Sequence, residues 1–338
     1  MIITRTPFRV SFFGGGTDYP AWYEENGGLV LSSTINKYCY ISCRFLPPFF
    51  DYKYKIRYTF REEVGGINEI KHPSVRECLS FLKLNRGIEM VHTSDIPAQS
   101  GIGSSSAFTV GFLNSLYALS GNMTTKRQLA REAIQIEQNI IKECVGSQDQ
   151  VAAAFGGFNK IEFGGSQQFH VTPMTVNPLK LSRLQDHLML FFTRYSRNAS
   201  EIAREQIKNT PLKAQELKAM KEMVERAIDV LNGPDEELFE FGKLLNESWR
   251  LKSGLTKLIS TSEIDDIYNA ALKAGAVGGK LLGAGGGGFM LFFVKPELQN
   301  KVKEALKNLL FVPFRFENMG SQIIYYAPAD SKEMFDGQ

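Results

Sequence analysis

The run from Gly275 to Gly288 places eight glycines in fourteen residues around a single charge, Lys280, and leads into Phe289-Met-Leu-Phe-Phe-Val294. Glycine at that density carries no side chain to pack and gives up much backbone entropy. The segment therefore reads as a loop where backbone comes very close to something, either another strand or a ligand. Gly283-Ala-Gly285-Gly-Gly-Gly288 even fits the dinucleotide fingerprint, but that fingerprint must open a helix. Phe289 to Val294 reads as a buried strand, so a dehydrogenase is rejected.

A chain of 338 residues is longer than one small core needs. Up to about residue 165 short apolar strands alternate with a few helices, residues 198–275 are mostly helical, and the last part returns to strands. The expectation is an α+β chain in two lobes, residues 1–172 and 173–338, with mixed sheets and a cleft between them. Strands are expected at Ile2 to Phe13, Leu29 to Phe45, Ile88 to Thr93 and Gly157 to Phe163 in the first lobe. The second lobe should hold His187 to Thr193, Gly288 to Val294, Phe311 to Phe316 and Gln322 to Ala327. Helices are expected at Ser104 to Leu119, Thr125 to Cys144, Asn198 to Lys208, Lys213 to Leu231, Asp235 to Leu251, Glu263 to Ala274 and Pro296 to Leu309. The polar stretch from Thr172 to Leu184 is the expected crossing. A net charge of +3 argues against a nucleic-acid or lipid surface. The longest uncharged apolar run, Leu281 to Val294, is too short to span a bilayer. Four cysteines without a CxxC pair and four scattered histidines point to a reducing cytoplasm and no structural zinc.

Two further segments carry chemistry. Pro97-Ala-Gln-Ser100-Gly101-Ile102-Gly103-Ser104-Ser105-Ser106-Ala107 precedes an apolar-periodic helix. Glycine allows the tight turn, the serines would cap the helix, and the amides at its positive end would bind an anion such as phosphate. No Gly-Lys-Ser/Thr follows, so this is not a Walker loop. Gly103-x-Ser105-x-Ala107 also resembles a nucleophile elbow, with Asp149 and His187 following in hydrolase order, which makes a serine hydrolase using Ser105 the rival class. The other segment, Pro7 to Pro20, is a strand running into a glycine turn that presents Arg9, Thr17 and Asp18. A carboxylate and a hydroxyl at a turn suit sugar hydroxyls, although Asp18 could simply bond its own backbone. Glu137 with a loop serine is a sensible Mg²⁺ pair, and Asp149 could be a base or merely cap the next helical turn.

Taken together, Pro7-x-Arg9 leading into Gly14 to Asp18, Pro97-x-x-x-Gly101-Ile-Gly103-Ser104-Ser105, and Lys280-Leu-Leu-Gly-Ala-Gly285 to Phe289 resemble the three ordered motifs of the GHMP kinase superfamily. Phe13 to Pro20, Gly278 to Gly288, and Ser248-Trp-Arg-Leu-Lys252 before Ile259-Ser260 are similar to its D-glycero-D-manno-heptose 7-phosphate kinases. The resemblance implies ATP- and Mg²⁺-dependent phosphorylation of the anomeric hydroxyl, giving the 1,7-bisphosphate for GDP-heptose; a fucose-type sugar kinase is the alternative. It implies that Pro97 and Ser100 to Ser106 wrap the ATP phosphates, that Ser105 and Glu137 hold Mg²⁺, and that Asp149 is the base beside Arg9. Thr17, Asp18, Gly15, Gly16, Gly285 and Gly286 would meet the sugar, with Arg197 and Lys252 as candidates for its 7-phosphate. Gly15-Gly16 replaces the Glu-His of the galactokinase motif and argues against galactose. The implied partners are a sugar phosphate and ATP, with neither nucleic acid nor membrane, and a homodimer fits the reading.

Overall fold

The computed structural model describes residues 1–98, 100–195 and 199–327. Arg197, offered as a ligand of the distal phosphate, lies outside them. Among the described residues nine strands form one mixed sheet and four form a second, antiparallel one. The first sheet is built on the hairpin of β1 (Ile2–Phe13) and β2 (Gly28–Phe45), joined by α1 (Pro20–Asn26). A second pair, β3 (Tyr54–Arg57) and β4 (Arg61–Val64), precedes α2 (Pro73–Phe81). The strand β5 (Ile88–Ser94) then pairs antiparallel with β2 and parallel with β3.

The helix α3 (Ser104–Leu119) follows and packs across β1 and β2. Thirteen of its sixteen residues are buried, because it is covered on the far side by α4 (Lys126–Ile134) and α5 (Gln148–Phe155). A helix apolar nearly all round has no solvent face to offer and must sit in the middle of a lobe. The hairpin β6 (Phe158–Phe163) and β7 (Phe169–Pro173) extends the sheet from β2. Then α6 (Pro178–Asp186) leads into β8 (Leu188–Phe192) of the second sheet.

Four helices follow: α7 (Ala199–Asn209), α8 (Ala214–Asn232), α9 (Leu238–Ser253) and α10 (Ser262–Lys273). The second sheet is completed by β9 (Ala276–Leu281), β10 (Phe289–Val294), α11 (Gln299–Ala305) outside it, and β11 (Leu310–Phe311), in the order β11-β8-β10-β9. Trp249, Tyr268 and Phe292 pack in its own core as tilted ring pairs, with centroids 6.1 and 6.0 Å apart.

Four expectations change. The last described strands belong to the first sheet: β12 (Phe316–Glu317) pairs with β2 and β13 (Gln322–Tyr326) with β1, Ile2 facing Tyr326. A cut at residue 172/173 therefore assigns these strands to the wrong lobe, and Phe311 to Phe316 is two strands on two sheets. The first half of the glycine run is strand β9, because Gly278 and Gly279 permit contact closer than any side chain would. A methyl on Gly278 would meet the Gly242 carbonyl at 2.1 Å, and one on Gly279 the Leu291 carbonyl at 2.5 Å. The expected helix to Cys144 ends earlier, with Gln135–Ile140 wound as a π-helix. The crossing at Thr172 to Leu184 holds the end of β7 and most of α6.

Candidate active site

Each lobe contributes one glycine turn, and the two turns touch. Gly101 and Gly283 both have left-handed backbones, with φ of 80° and 74°. A methyl on Gly283 would lie 2.5 Å from the Gly101 Cα, and one on Gly101 2.6 Å from the Leu282 carbonyl. The Phe289 amide donates to the Ser100 carbonyl across the same seam at 3.2 Å. Two backbones in van der Waals contact leave no room for a Cβ, which answers part of the question the glycine density posed.

The first loop then delivers α3. Its N-cap is Gly103, with φ 77°, and no side chain caps the helix. The serines are therefore the first helical residues and not its caps. Their amides sit at the positive end of the dipole, in the first turn where no intrahelical acceptor exists. Ser105 is exposed, and Ser104, Ser105 and Ser106 all line a cavity of about 420 Å³. Pro97 is exposed, Ile102 is wholly buried and Ser100 is buried behind the loop.

At the cavity floor Arg9 grips Asp149 with two bonds, Nε to Oδ1 at 2.7 Å and Nη2 to Oδ2 at 2.8 Å, and its Nη1 donates to the Gly101 carbonyl at 2.8 Å. The Arg9 amide also donates to the Ile102 carbonyl. One buried guanidinium thus ties β1, the loop before α3 and α5 together, and its planar fork fixes the carboxylate in orientation. Both line the cavity, and Asp149, with its side chain 24% exposed against 4% for Arg9, is the more accessible of the two.

Asp18 is buried beside this pair, accepts from the amides of Gly16 and Gln148 at 2.9 and 3.3 Å, and is raised above the usual carboxylate range chiefly by burial. Asp18 thus bonds backbone of its own turn, though at the residue two before it and not in an Asx turn, and it also stands on the cavity wall. Thr17 is different: its hydroxyl donates to Gly14 and Leu29 carbonyls and accepts from the Leu29 amide, and it is fully buried. It locks the turn and is not among the residues that line the cavity. Gly15 and Gly16 line the cavity. Gly285 and Gly286 instead pack on Ile259, whose carbonyl takes the Gly286 amide at 2.8 Å, so Gly283 and Ala284 face the cavity in their place.

Two lysines close the far wall. Lys252 Nζ donates to the Leu281 and Gly283 carbonyls, and burial, helped by Arg9, brings its pKa down to about 8. Lys280 donates to the Phe12 carbonyl at 2.7 Å and is held well below the usual lysine range by burial. Both line the cavity.

Glu137 is fully buried on the π-helix, and burial pushes its carboxyl up to about 7. Its Oε2 accepts from Ser106 Oγ at 2.8 Å and from Gln150, so the serine beside it is Ser106 and not Ser105. Its Oε1 is enclosed, with the Thr109 side chain beside the carboxylate. A buried carboxylate next to serine and threonine hydroxyls is chemically suited to a hard cation shared with phosphate oxygens.

Sequence spacing gave no sign of an aromatic recess next to α3. His72 stacks on Phe108 at 4.6 Å, and Tyr58 and His92 stand edge-on to them at 4.7 and 5.1 Å. Tyr58 comes from the turn between β3 and β4, His72 from the N-cap of α2, His92 from β5 and Phe108 from α3, and they converge only in the fold. The hydrolase rival does not assemble: His187 ends α6, with Nδ1 on the Arg183 carbonyl and its ring stacked on Phe293 in the second sheet, away from Ser105.

The N-terminal domain of the GHMP kinases matches residues 71–157 and their C-terminal domain residues 236–310. D-glycero-alpha-D-manno-heptose 7-phosphate kinase of Campylobacter jejuni is 32% identical over 90% of this chain and 93% of that protein. The bifunctional fucokinase/GDP-fucose pyrophosphorylase of Arabidopsis thaliana is 24% identical over 90% of this chain but only 30% of its own length. In three dimensions a D-glycero-D-manno-heptose 1-phosphate kinase from Bacteriodes thetaiotaomicron superposes with a TM-score of 0.76, at 24% identity, over 97% of this chain and all of that one.

Proposed function

Because the chain belongs to the GHMP kinase family, we propose that it transfers the terminal phosphoryl group of ATP to the anomeric hydroxyl of D-glycero-D-manno-heptose 7-phosphate. The observation that carries this reading is the bidentate Arg9–Asp149 pair, set between the start of α3 and the glycine turn that holds Asp18. Phosphoryl transfer asks for positioning and charge neutralisation more than for covalent help, and this floor offers both.

In this reading the first-turn amides of α3 hold the phosphate tail, and the aromatic recess of Tyr58, His72 and Phe108 takes the flat base. Asp149 accepts the proton of the attacking hydroxyl, and Arg9 orients it and faces the charge that builds on the moving group. Asp18 binds sugar hydroxyls. Lys252 supplies positive charge at the end of the cavity where the two lobes meet. Glu137 and the serine hydroxyls of 105 and 106 would hold a magnesium ion, which when bound neutralises phosphate charge. The working compartment in this proposal is the cytoplasm, which the four free thiols fit.

The test is ADP release with purified protein, ATP and a panel of heptose 7-phosphate, free heptose, fucose, galactose and mevalonate. The proposal expects heptose 7-phosphate to have the highest kcat/KM, with phosphorus NMR showing a new anomeric phosphate. Preference for an unphosphorylated sugar such as fucose would move the assignment within the family. No turnover of any sugar would end it.

A further inference from the structure

Behind Gly15 the wall of the cavity contains two buried polar atoms that nothing in the protein satisfies. Ser11 Oγ and Gln148 Oε1 are both closed off and without a hydrogen-bond partner, and both side chains belong to the cavity lining. They arrive from different lobules of the site. Ser11 lies two residues beyond Arg9 on β1, and Gln148 stands next to Asp149 at the first residue of α5. They meet at one point: a methyl built on Gly15 would sit 3.6 Å from Ser11 Oγ and 3.6 Å from Gln148 Nε2, with no other described atom that close.

Gly15 differs in this from its neighbours. Gly14 and Gly16 have left-handed backbones that demand glycine, whereas Gly15 is not among the positive-φ residues. Alanine would meet only ordinary contacts there. The backbone does not require glycine at 15, so the small residue keeps a volume open, and that volume is bordered by the unmatched Ser11 hydroxyl and by Nε2 of Gln148, the amide whose Oε1 has no partner. Buried polar groups are nearly always hydrogen-bonded, and unmatched ones at a cavity wall mark the place where a ligand completes the set.

We propose that Ser11 and Gln148 together read one hydroxyl of the acceptor sugar across Gly15 and so select the stereochemistry of its ring. The chemistry is matched: a sugar hydroxyl donates once and accepts twice, the Gln148 amide offers an acceptor and donors, and the Ser11 hydroxyl offers both. Since Ser11 lies two residues from Arg9 on one strand and Gln148 directly precedes Asp149, the hydroxyl they read belongs to the same end of the sugar as the reacting carbon. A site whose buried groups pair with a substrate hydroxyl rejects the analogue that lacks it, because those groups are then stranded. This inference rests on the sugar-kinase reading above.

The test uses Ser11→Ala, Gln148→Met and Gly15→Ala in the full chain, with sugar KM, ATP KM, kcat and the melting temperature without ligand measured for each. Ser11→Ala and Gln148→Met should each raise the sugar KM by about tenfold, the cost of one lost neutral hydrogen bond, and Gly15→Ala should raise it by filling the space that hydroxyl occupies. ATP KM should stay within about twofold by the same reasoning, since no nucleotide contact is lost. Ser11→Ala and Gln148→Met should leave the unliganded melting temperature unchanged or higher, because each removes an unmatched polar atom; a merely structural role would lower it. Across monodeoxy analogues of the accepted sugar, one position should be discriminated by the wild type and no longer by Gln148→Met. Sugar KM values that stay at the wild-type level in all three variants, or a loss of stability with no change in KM, would overturn the assignment while leaving the kinase intact. A wild type that releases no ADP with any sugar would instead remove the kinase reading and this inference with it.

Discussion

Replacing Asp149 by asparagine removes one negative charge and almost no volume. Arg9 is 4% exposed and now spends two of its donors on that carboxylate, at 2.7 and 2.8 Å. The asparagine carbonyl can keep the Nε bond, but its NH₂ then opposes the Nη2 donor, and the guanidinium loses its counter-charge in a place water reaches poorly. Hydrogen bonds to charged groups contribute about 1.5–3 kcal/mol each, so the variant should be less stable by roughly that amount. The kinetic cost is separate and larger. Loss of a positioned base lowers turnover by about 10²- to 10⁴-fold, which corresponds to roughly 3–5.5 kcal/mol of barrier. Steady-state ADP release at saturating ATP and sugar measures it, and an ATP titration by calorimetry checks that nucleotide binding survives. A kcat within threefold of wild type would refute the reasoning, since it would show that the group held by Arg9 takes no proton.

Other outcomes follow from the same geometry. Glu137 keeps its proton in the folded state up to about pH 7, above the ordinary value of 4.5. Its contribution to stability is therefore greatest below pH 4.5 and is lost as pH rises to about 7, on the order of 3 kcal/mol without a cation. Glu137→Gln should flatten that slope in chemical denaturation. His72 is held down to about 4 by burial, so the stability it lends is present above pH 6.5 and lost as pH falls towards 4; acid unfolding of His72→Asn should be shallower over that window. Gly283→Ala forces a methyl to 2.5 Å from the Gly101 Cα and into a φ of 74°. It should lower the melting temperature and reduce kcat together, because the seam between the two loops and the start of α3 shift as one.

Much of the fold is legible in the residues, and what is not has a physical cause. Strand Ile2–Phe13 and helix Ser104–Leu119 fall where their apolar runs begin and end. The short helices Pro20–Asn26 and Pro73–Phe81 have too few turns for a periodicity to show. Strand Ala276–Leu281 is hidden by its own glycines, which serve close packing. The pairing of Gln322–Tyr326 with the first strand joins residues more than three hundred apart, and no local pattern announces it. The site divides in the same way. Arg9, Asp18 and Asp149 sit in compact motifs whose chemistry can be read directly. Thr17 looks the same on paper but spends its hydroxyl on the turn. Tyr58, His72, His92 and Phe108, and the Ser11 and Gln148 pair, become neighbours only when β1, the β3–β4 turn, β5, α2, α3 and α5 are assembled.

The most direct test is a crystal structure with a non-hydrolysable ATP analogue and the sugar phosphate together. We expect the phosphate oxygens to accept from the amides of residues 104–106 at about 3 Å, with the terminal phosphorus and the anomeric oxygen between them and the Asp149 carboxylate. A triphosphate bound elsewhere, with Asp149 still locked to Arg9 and facing no ligand, would contradict the account.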